Sequence, residues 1–241
     1  MLKVIPAKTA NEFVVQHHYS KKFVQNSQVH FGAFLDGKLH GVLQYGASMD
    51  KAKVSRAVIG TGWNEFIELN RMAFDDYLPK NSESRCIAIS IKLLKKYAPH
   101  IKWVVSFADA TQCGDGTIYR ASGFILSQIK RNTTMLKMAD GTIVADKTLN
   151  DRIVNGKSAA TQAKQDGARP LAGFQLRYIY FLHKSERANL ASQEVPFSEI
   201  ATSGASMYLG KPRARSVDSG TSCDQHERGG ANPTRALHKE G

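Results

Sequence analysis

The sequence has few cysteines and no long apolar run. Its three cysteines, Cys86, Cys113 and Cys223, are far apart and odd in number, so neither a disulfide framework nor the paired spacing of a structural zinc site is predicted. No apolar run approaches the ~20 residues that a membrane span needs. The N-terminus also lacks the pattern of a secretory signal. We therefore expect a cytosolic protein without a membrane-embedded part.

Acidic residues are outnumbered by basic ones. The chain has 33 Lys and Arg against 21 Asp and Glu, which gives a formal charge of +12 and a pI near 9.6. Such an excess gives affinity for polyanions through counterion release, so nucleic acid is the first partner to consider. A basic protein without a nucleic-acid partner remains the alternative. With 241 residues, we expect one domain over 1–200 and a flexible tail over 201–241, where apolar residues nearly vanish.

Alternation and turn signals predict the first half of the fold. Asp36-Gly37 lies between two alternating apolar runs and predicts a β-hairpin. Thr9, followed by Glu12, has the spacing of a capping box. The predicted elements are a strand over 2–5, a helix from Ala10 to His17, two antiparallel strands over 29–46 and a third strand over 66–74.

The second half alternates helices and strands. Apolar residues at Ile87, Ile91 and Leu94 recur at helical spacing after Pro79. The remaining predicted elements are a helix within 79–100, strands over 101–109, 124–129 and 174–182, and a short helix over 116–124. This order predicts an α/β (α+β) fold with a mixed central sheet flanked by helices, parallel where helices cross over.

A polar segment over 131–171 separates the last two predicted strands of the sheet. It has few bulky apolar residues, so we interpret it as a basic surface insertion. Its basic residues are candidates for DNA phosphate contacts. The candidates are Lys137, Lys147, Arg152 and Lys157.

Asp109 and Tyr119 are candidate catalytic residues. Asp109 directly follows the buried run WVVSFA, and the carboxyl ends of such strands are where open α/β sheets place ligands. Asp109 could equally be a turn aspartate. Tyr119, in the short helix after this loop, reaches the same crevice or packs in the core with its hydroxyl outward.

Arg71 is a charged residue on an apolar strand. By alternation it should share one face with Ile67 and Leu69. A guanidinium there needs a partner. It either forms a structural ion pair with Asp109 or Glu68, or holds an anionic substrate group.

The segment NSESR at the start of the second predicted helix is a candidate donor-binding site. Its hydroxyls and free backbone N–H groups favour an anion, although simple helix capping explains the same residues. No glycine-rich nucleotide-binding loop is present. The candidates are Asn81, Ser82, Ser84 and Arg85.

Adjacent His18 and Tyr19 follow the first helix in the stretch HHYS. Together with Asp109 they would form a nitrogen and oxygen ligand set suited to iron or manganese. The alternative is an ordinary surface position at a helix end.

From FIELNRMAF through SFADATQCGDGTIYRASGF, the order of elements resembles the GNAT acyltransferase core. In that family a strand leads into a helix start that holds pyrophosphate, and a later short helix carries the pattern Y-x-x-x-G-F, which TIYRASGF fits. KNSESR replaces the family's glycine-rich loop. The resemblance implies an activated acyl donor, although the missing loop makes acetyl-CoA less favoured; for a carbamoylmethyl product, the isomeric glycyl group is the acyl group that we expect.

Six motifs in order, HHYS, DGKLHGVLQYG, ELNRM, LPKNSESR, SFAD and GTIYRASGF, resemble the phage Mom family of DNA adenine modification proteins. The resemblance implies carbamoylmethylation of the N6 amine of adenine in double-stranded DNA, which protects phage DNA from restriction in the host-cell cytoplasm. It also implies catalytic roles for Tyr19, Arg71, Asp109 and Tyr119, with His18 beside them. The oligomeric state stays open, with a dimer as one option.

This reaction would need a base that leaves the DNA stack. Aromatic side chains stack against such bases, and the sequence candidates are Tyr45, Trp63 and Phe107. Two other functions remain open: an ordinary CoA-dependent N-acetyltransferase and a DNA-binding protein without enzymatic activity.

Overall fold

The computed structural model describes residues 1–150, 152–208 and 210–213, which fold around one mixed sheet. The elements before the insertion are β1 (Leu2–Val4), α1 (Ala7–His17), β2 (Ser27–Leu35), β3 (Lys38–Gly46), α2 (Lys51–Ser55), β4 (Phe66–Phe74), α3 (Ser82–Tyr97), β5 (Trp103–Ala110), α4 (Thr117–Ala121) and β6 (Ile125–Arg131). The insertion contains β7 (Met135–Lys137), β8 (Ile143–Ala145), α5 (Asp146–Asn150), β9 (Ile153–Val154), β10 (Lys157–Ser158), α6 (Ala159–Gln165) and β11 (Arg169–Pro170). The remaining elements are β12 (Phe174–Phe181), a 3-10 helix (Lys184–Asn189), α7 (Glu199–Thr202), β13 (Met207–Tyr208) and β14 (Lys211–Pro212).

The central sheet has the strand order β1-β2-β3-β4-β5-β12-β6. Neighbouring strands are antiparallel except for β4 and β5, which α3 connects. The prediction of a mixed sheet flanked by helices is therefore confirmed. Among the described residues, no helix is long and apolar enough to cross a membrane.

Helices cover both faces of the sheet. Val104 of β5 packs in the apolar cluster under α3, whereas its neighbour Val105 packs in a different cluster with Val54 of α2. Because successive strand residues point to opposite faces, α3 and α2 lie on opposite sides. α1 covers the α2 side further along, with Phe13 and Val14 buried.

The predicted hairpin is confirmed, but the predicted start of α1 is wrong. Asp36 and Gly37 both have positive φ, 49° and 76°, as the tight turn between β2 and β3 requires. α1 begins at Ala7 after Pro6, and the Ala10 N–H already donates to the Pro6 carbonyl at 3.1 Å. Starting the helix earlier lets Ala10 enter the core on its first turn.

A bulge at Asn70 overturns the predicted face of Arg71. Gln44 pairs with Arg71 and Tyr45 with Leu69, so Asn70 is an extra residue in β4. A bulge shifts the alternation by one residue. Arg71 consequently lies opposite Gln44 on the α1 side, while Leu69 packs on the α3 side.

β4 and β5 separate in their second halves. Their parallel pairing covers only 66–68 and 103–105, although both strands continue toward their carboxyl ends. Beyond this point the Ser106 hydroxyl still donates to the Leu69 carbonyl at 3.2 Å. The opening between the two strands gives side chains from both faces access to one crevice.

The C-terminal segment packs beside this crevice. Ala205 and Met207 are buried in the main core, and the Met207 carbonyl accepts from the Asp115 N–H at 3.1 Å. The structure thus differs from the predicted tail start at residue 201, because these apolar side chains cover the loop after β5. Residues 214–241 of the predicted tail lie outside the described residues.

Candidate active site at the carboxyl ends of β4 and β5

Asp109 and Tyr19 meet at the carboxyl end of β5. The Tyr19 hydroxyl donates to Asp109 Oδ2 at 3.0 Å, and Gln112 Nε2 approaches the same oxygen at 3.4 Å. The other oxygen accepts from the Thr111 N–H at 2.9 Å and from the Thr111 hydroxyl. Asp109 is therefore held in a fixed orientation with Tyr19 on its outer side, where the tyrosine is 46% exposed.

Tyr19 stays protonated at neutral pH. Burial of its hydroxyl and the negative charge of Asp109 both raise the pKa of Tyr19 above its ordinary value. A neutral phenol that donates to a carboxylate can pass a proton between a substrate and that carboxylate. The pair is thus arranged for proton transfer.

Arg71 brings an uncompensated positive charge to the crevice. Its Nε donates to the Lys22 carbonyl at 3.2 Å and one terminal nitrogen donates to the Asn70 carbonyl at 2.8 Å. Among the ion pairs of the described residues, none within 4 Å involves Arg71. Of the two alternatives, the ion pair with Asp109 or Glu68 is therefore not formed, and the guanidinium is available to an anionic group.

The His18 ring packs against the Tyr19 ring. Their rings lie 4.4 Å apart, and His18 Nδ1 accepts from the Ser20 N–H at 3.1 Å. Burial, followed by the positive charge of Arg71, lowers the pKa of His18 from 6.5 to about 4. The neutral ring with its hydrogen on Nε2 is the form present near neutral pH.

This buried histidine predicts a specific loss of stability in acid. Because the folded pKa lies below the ordinary value, the unfolded chain binds the proton first, and the free energy of unfolding falls as pH drops from 6.5 toward about 4. In denaturant titrations across this range, we expect His18→Asn to flatten the pH dependence. His100→Asn, at an exposed histidine, is the matched control. An unchanged slope for His18→Asn would contradict this account.

Tyr119 approaches the crevice from the α3 side. Gly116, with φ of +81°, immediately precedes the helix that carries Tyr119. A Cβ at this position would lie 2.4 Å from the Tyr178 ring, so a larger residue would clash. Tyr119 packs against Phe124 and Tyr178, and burial raises the pKa of Tyr119 to about 12. It is thus a core side chain on the opposite face from Asp109, at the opening between the strands.

Glu68 and Cys113 are crevice residues that the sequence analysis does not select as chemical groups. Burial raises the pKa of the Glu68 carboxyl, against the opposing effects of Ser48, Asn70 and Arg71. Burial and nearby Asp109 raise the pKa of the Cys113 thiol. The sequence could have indicated Glu68 as a site residue through its position in ELNRM, three residues before Arg71.

The predicted donor-binding residues surround the start of α3. Asn81 has φ of 67° and precedes the first helical residue. The hydroxyls of Ser82 and Ser84 donate to the carbonyls of Pro79 and Asn81 at 2.6 and 3.0 Å, while Arg85 is exposed. These local bonds account for the serines, and donor binding here stays a prediction.

The expected metal ligands already have protein partners. His18 Nδ1 accepts from Ser20, Tyr19 donates to Asp109, and both Asp109 oxygens accept hydrogen bonds. Within the described ranges, no group of three or more His, Cys, Asp and Glu side chains is arranged to hold a metal ion. An iron ion here would have to displace these hydrogen bonds, so the residues do not fit a resident iron.

The predicted DNA-binding residues lie in the insertion. Lys137, Arg152 and Lys157 are exposed, and Lys147 lies in α5. The insertion leaves β6 and returns to β12 beside the active site, since Asn132 N–H donates to the Gly173 carbonyl at 2.9 Å. Its basic surface thus begins at the edge of the sheet that carries the candidate active site, and DNA contact stays a prediction.

The aromatic candidates for base stacking have different exposures. Tyr45 is completely buried and its hydroxyl bonds to Ser90 at 2.6 Å, so the prediction that it stacks on a base is wrong. Phe107 packs partly buried against the α2-side cluster. Trp63 is 61% exposed.

Comparison with known proteins decides the family. The model of the Mom protein family matches residues 1–199. This chain belongs to the Mom family. It is 35% identical over 191 residues to the protein named methylcarbamoylase mom of Escherichia phage Mu, covering 78% of each chain. The motifs by themselves also suggest that Mu protein, but this identity shows a different member of the Mom family.

Solved structures overlap with the Mom family chain only partly. An IAA acetyltransferase from Bacillus cereus matches with a TM-score of 0.44 and 12% identity, covering 75% of this chain and 98% of that one. The ribosomal-protein-S18-alanine N-acetyltransferase of Escherichia coli matches with a TM-score of 0.43 and 12% identity, covering 76% and 93%. At these TM-scores, neither neighbour supports an argument about activity.

Proposed function

We propose that this protein is a transferase that attaches a carbamoylmethyl group to the N6 amine of adenine in DNA. The observation that carries the proposal is the Tyr19–Asp109 pair at 3.0 Å beside the unpaired Arg71, in a chain of the Mom family. The name of the Mu relative, a methylcarbamoylase, supports the same chemistry. Modified DNA in the host-cell cytoplasm would then resist restriction.

The N6 amine is a weak nucleophile because its lone pair is delocalised into the purine ring. A base must therefore remove its proton as the new bond forms. Tyr19 lies between Asp109 and the outside of the crevice, so it passes the N6 proton inward to the carboxylate. Asp109 is the final acceptor in this proposal.

Arg71 supplies the opposite charge. Two backbone carbonyls, those of Lys22 and Asn70, fix its guanidinium. A fixed cation stabilises charge that develops on an oxygen during transfer without reorganising at that moment. In this proposal it holds the anionic part of the donor or the developing oxyanion, and Tyr119 lines the opposite wall.

The structure of the carbamoylmethyl product limits which group the donor can carry. Simple acyl transfer would attach a carbonyl to N6, whereas carbamoylmethyl attaches a methylene. A glycyl group is an isomer of carbamoylmethyl, so we propose an activated glycyl donor: N6 attacks its carbonyl and the activating group leaves. In the rearrangement of the N6-glycyl product, the N6–carbonyl and methylene–amine bonds break, while N6–methylene and carbonyl–amine bonds form. Plain acetyl-CoA would not give this product.

Nucleoside mass spectrometry on DNA from expressing cells tests the proposal. We expect a deoxyadenosine heavier by one glycine residue. Amide hydrolysis then distinguishes the two isomers, because an N6-glycyl group is removed and regenerates adenine while a carbamoylmethyl group becomes carboxymethyl and stays attached. Unmodified DNA from folded, well-expressed protein would rule the transferase out.

A further inference from the structure

A short hairpin, formed by β13 and β14, packs on the loop that follows β5. The Gly210 N–H in its turn donates to the Cys113 carbonyl at 2.7 Å. A Cβ at Gly210, where φ is +73°, would lie only 2.9 Å from the Gln112 carbonyl oxygen. The turn of the hairpin therefore rests directly on the backbone of Gln112 and Cys113.

The two loop residues under the hairpin also hold Asp109. The Cys113 N–H donates to the Asp109 carbonyl at 2.9 Å, and Gln112 Nε2 approaches Asp109 Oδ2 at 3.4 Å. Both residues thus face the hairpin with their carbonyls and Asp109 with their nitrogen atoms. This loop is the layer between the hairpin and the Tyr19–Asp109 pair.

Buried Asp115 fixes the hairpin to the same loop. Its N–H donates to the Met207 carbonyl at 3.1 Å, and one carboxylate oxygen accepts from the Met207 N–H at 3.3 Å. The other oxygen accepts from Arg120 and from the Thr117 hydroxyl, both at 3.0 Å. The Met207 side chain is buried in the main core. The hairpin therefore keeps a fixed position relative to Asp109.

Strand pairing places three side chains on the outer face of the hairpin. Tyr208 pairs with Lys211, whereas the preceding residue, Met207, points into the core. The Arg213 N–H donates to the Ser206 carbonyl at 3.1 Å, which continues the ladder and brings Arg213 to the same face as Lys211. Tyr208 is 55% exposed, and both basic residues are exposed.

This outer face carries two cations that lack a carboxylate partner. In the part of the chain that the structure describes, no ion pair within 4 Å includes Lys211 or Arg213. The guanidinium carbon of Arg213 lies 4.8 Å from the centre of the Tyr208 ring. A guanidinium against an aromatic ring keeps its in-plane N–H donors, which match a phosphate bidentately. The hairpin thus presents an oriented arginine and a lysine to a polyanion.

We propose that this hairpin is a phosphate-binding site for the DNA strand that carries the target adenine, with Arg213 and Lys211 on phosphates next to that nucleotide. The proposal rests on the proposed function and names where the substrate strand is held beside the active site. Tyr208 has a positioning role, because its ring orients the Arg213 guanidinium.

A strand bound to the hairpin is positioned for chemistry at Asp109. Phosphate contacts fix the register and orientation of a protein on DNA without reading its sequence. Because the hairpin keeps a fixed position relative to Asp109, phosphates held on it also fix the sugar of the neighbouring nucleotide. An adenine that leaves the stack from that sugar then needs only to turn toward Tyr19.

Salt-dependent binding to a DNA duplex tests the proposal without turnover. Each lost phosphate contact lowers the slope of log affinity against log salt concentration by about 0.9. We expect Arg213→Ala to show this smaller slope and to bind about fivefold more weakly at physiological salt. Tyr208→Phe keeps the ring beside Arg213 and should bind like the wild type, whereas Tyr208→Ala should weaken binding.

The position of the contact is tested with a duplex whose only adenine lies opposite an abasic site, since an unpaired base leaves the stack readily. One neutral methylphosphonate replaces a phosphate at each position in turn. Wild-type affinity should fall at the phosphates next to the adenine, and Arg213→Ala should lose this sensitivity at one of them. Equal sensitivity of both proteins at every phosphate, or an unchanged salt slope, overturns the proposal.

Lys96→Ala is the matched control. Lys96 Nζ also lies over an exposed tyrosine ring, that of Tyr97, at 5.0 Å, but at the C-terminal end of α3. Its affinity and salt slope should equal those of the wild type. Modified DNA from a protein whose slope is insensitive to Arg213→Ala refutes only the hairpin, whereas a smaller slope without modified DNA refutes only the transferase.

Discussion

Replacing Asp109 with asparagine should reduce DNA modification by about 10²–10⁴-fold. The amide keeps the shape of the carboxylate and can still accept from the Thr111 N–H, now 2.9 Å from Oδ1. It cannot accept a proton from Tyr19, so the inward transfer ends. Folding and DNA affinity should change little, because the amide oxygen still accepts from Thr111 and the amide nitrogen can donate to the Tyr19 hydroxyl instead of accepting from it.

Asp140→Asn is the matched control for this substitution. Asp140 makes the same bond to a backbone N–H two residues later, Thr142 at 2.8 Å, in an exposed turn of the insertion. Modification should be unchanged in this variant. Quantitative nucleoside mass spectrometry, with an electrophoretic DNA-binding assay beside it, separates lost chemistry from lost binding. Full activity in Asp109→Asn would exclude Asp109 as the base.

Replacing Tyr19 with phenylalanine should reduce modification by about 10²-fold. The substitution keeps the ring beside His18, at 4.4 Å, and removes only the hydroxyl that bonds Asp109 at 3.0 Å. The loss of stability should stay near 1 kcal/mol, the net contribution of one hydrogen bond. Rate measurements over a pH range, with small general bases added, should show partial recovery of modification. The added base restores deprotonation of N6 but not its orientation.

Tyr77→Phe controls for loss of a phenol. Tyr77 is 61% exposed and stacks on His40 at 4.3 Å, so it repeats the tyrosine–histidine pairing outside the active site. Its substitution should leave modification unchanged. A Tyr19→Phe protein as active as the wild type would show that substrate delivers its proton to Asp109 directly.

Several elements followed from local sequence alone. Asp36-Gly37 supplies the positive φ values of the hairpin turn, and the apolar spacing of Ile87, Ile91 and Leu94 gives the buried side of α3. Predicted strand 66–74 matches β4 in full. In these cases the signal is a backbone preference or a periodicity that neighbouring residues carry themselves.

Other features depended on distant contacts. The bulge at Asn70 moved Arg71 to the other face. No local pattern predicts this extra residue, because the bulge depends on the pairing of β4 with β3. A groove of about 860 Å³ has walls from residues 23–28 and 47–64, two segments that meet only because β2, β3 and β4 pair. The sequence analysis names Trp63 by itself and does not predict this groove.

The sequence by itself determined the family, the order of the main helices and strands of the central sheet, and the position of Asp109 at the end of a buried strand, but not α2 or the elements of the insertion. These depend on motifs and on periodicities within short segments. Only the tertiary structure decided that Tyr19 bonds Asp109, 90 residues away, that no carboxylate of the described residues pairs with Arg71 and that Tyr119 approaches from the opposite face. The physical reason is that a contact between side chains depends on how the strands pair and the helices pack, which no single segment of the chain encodes.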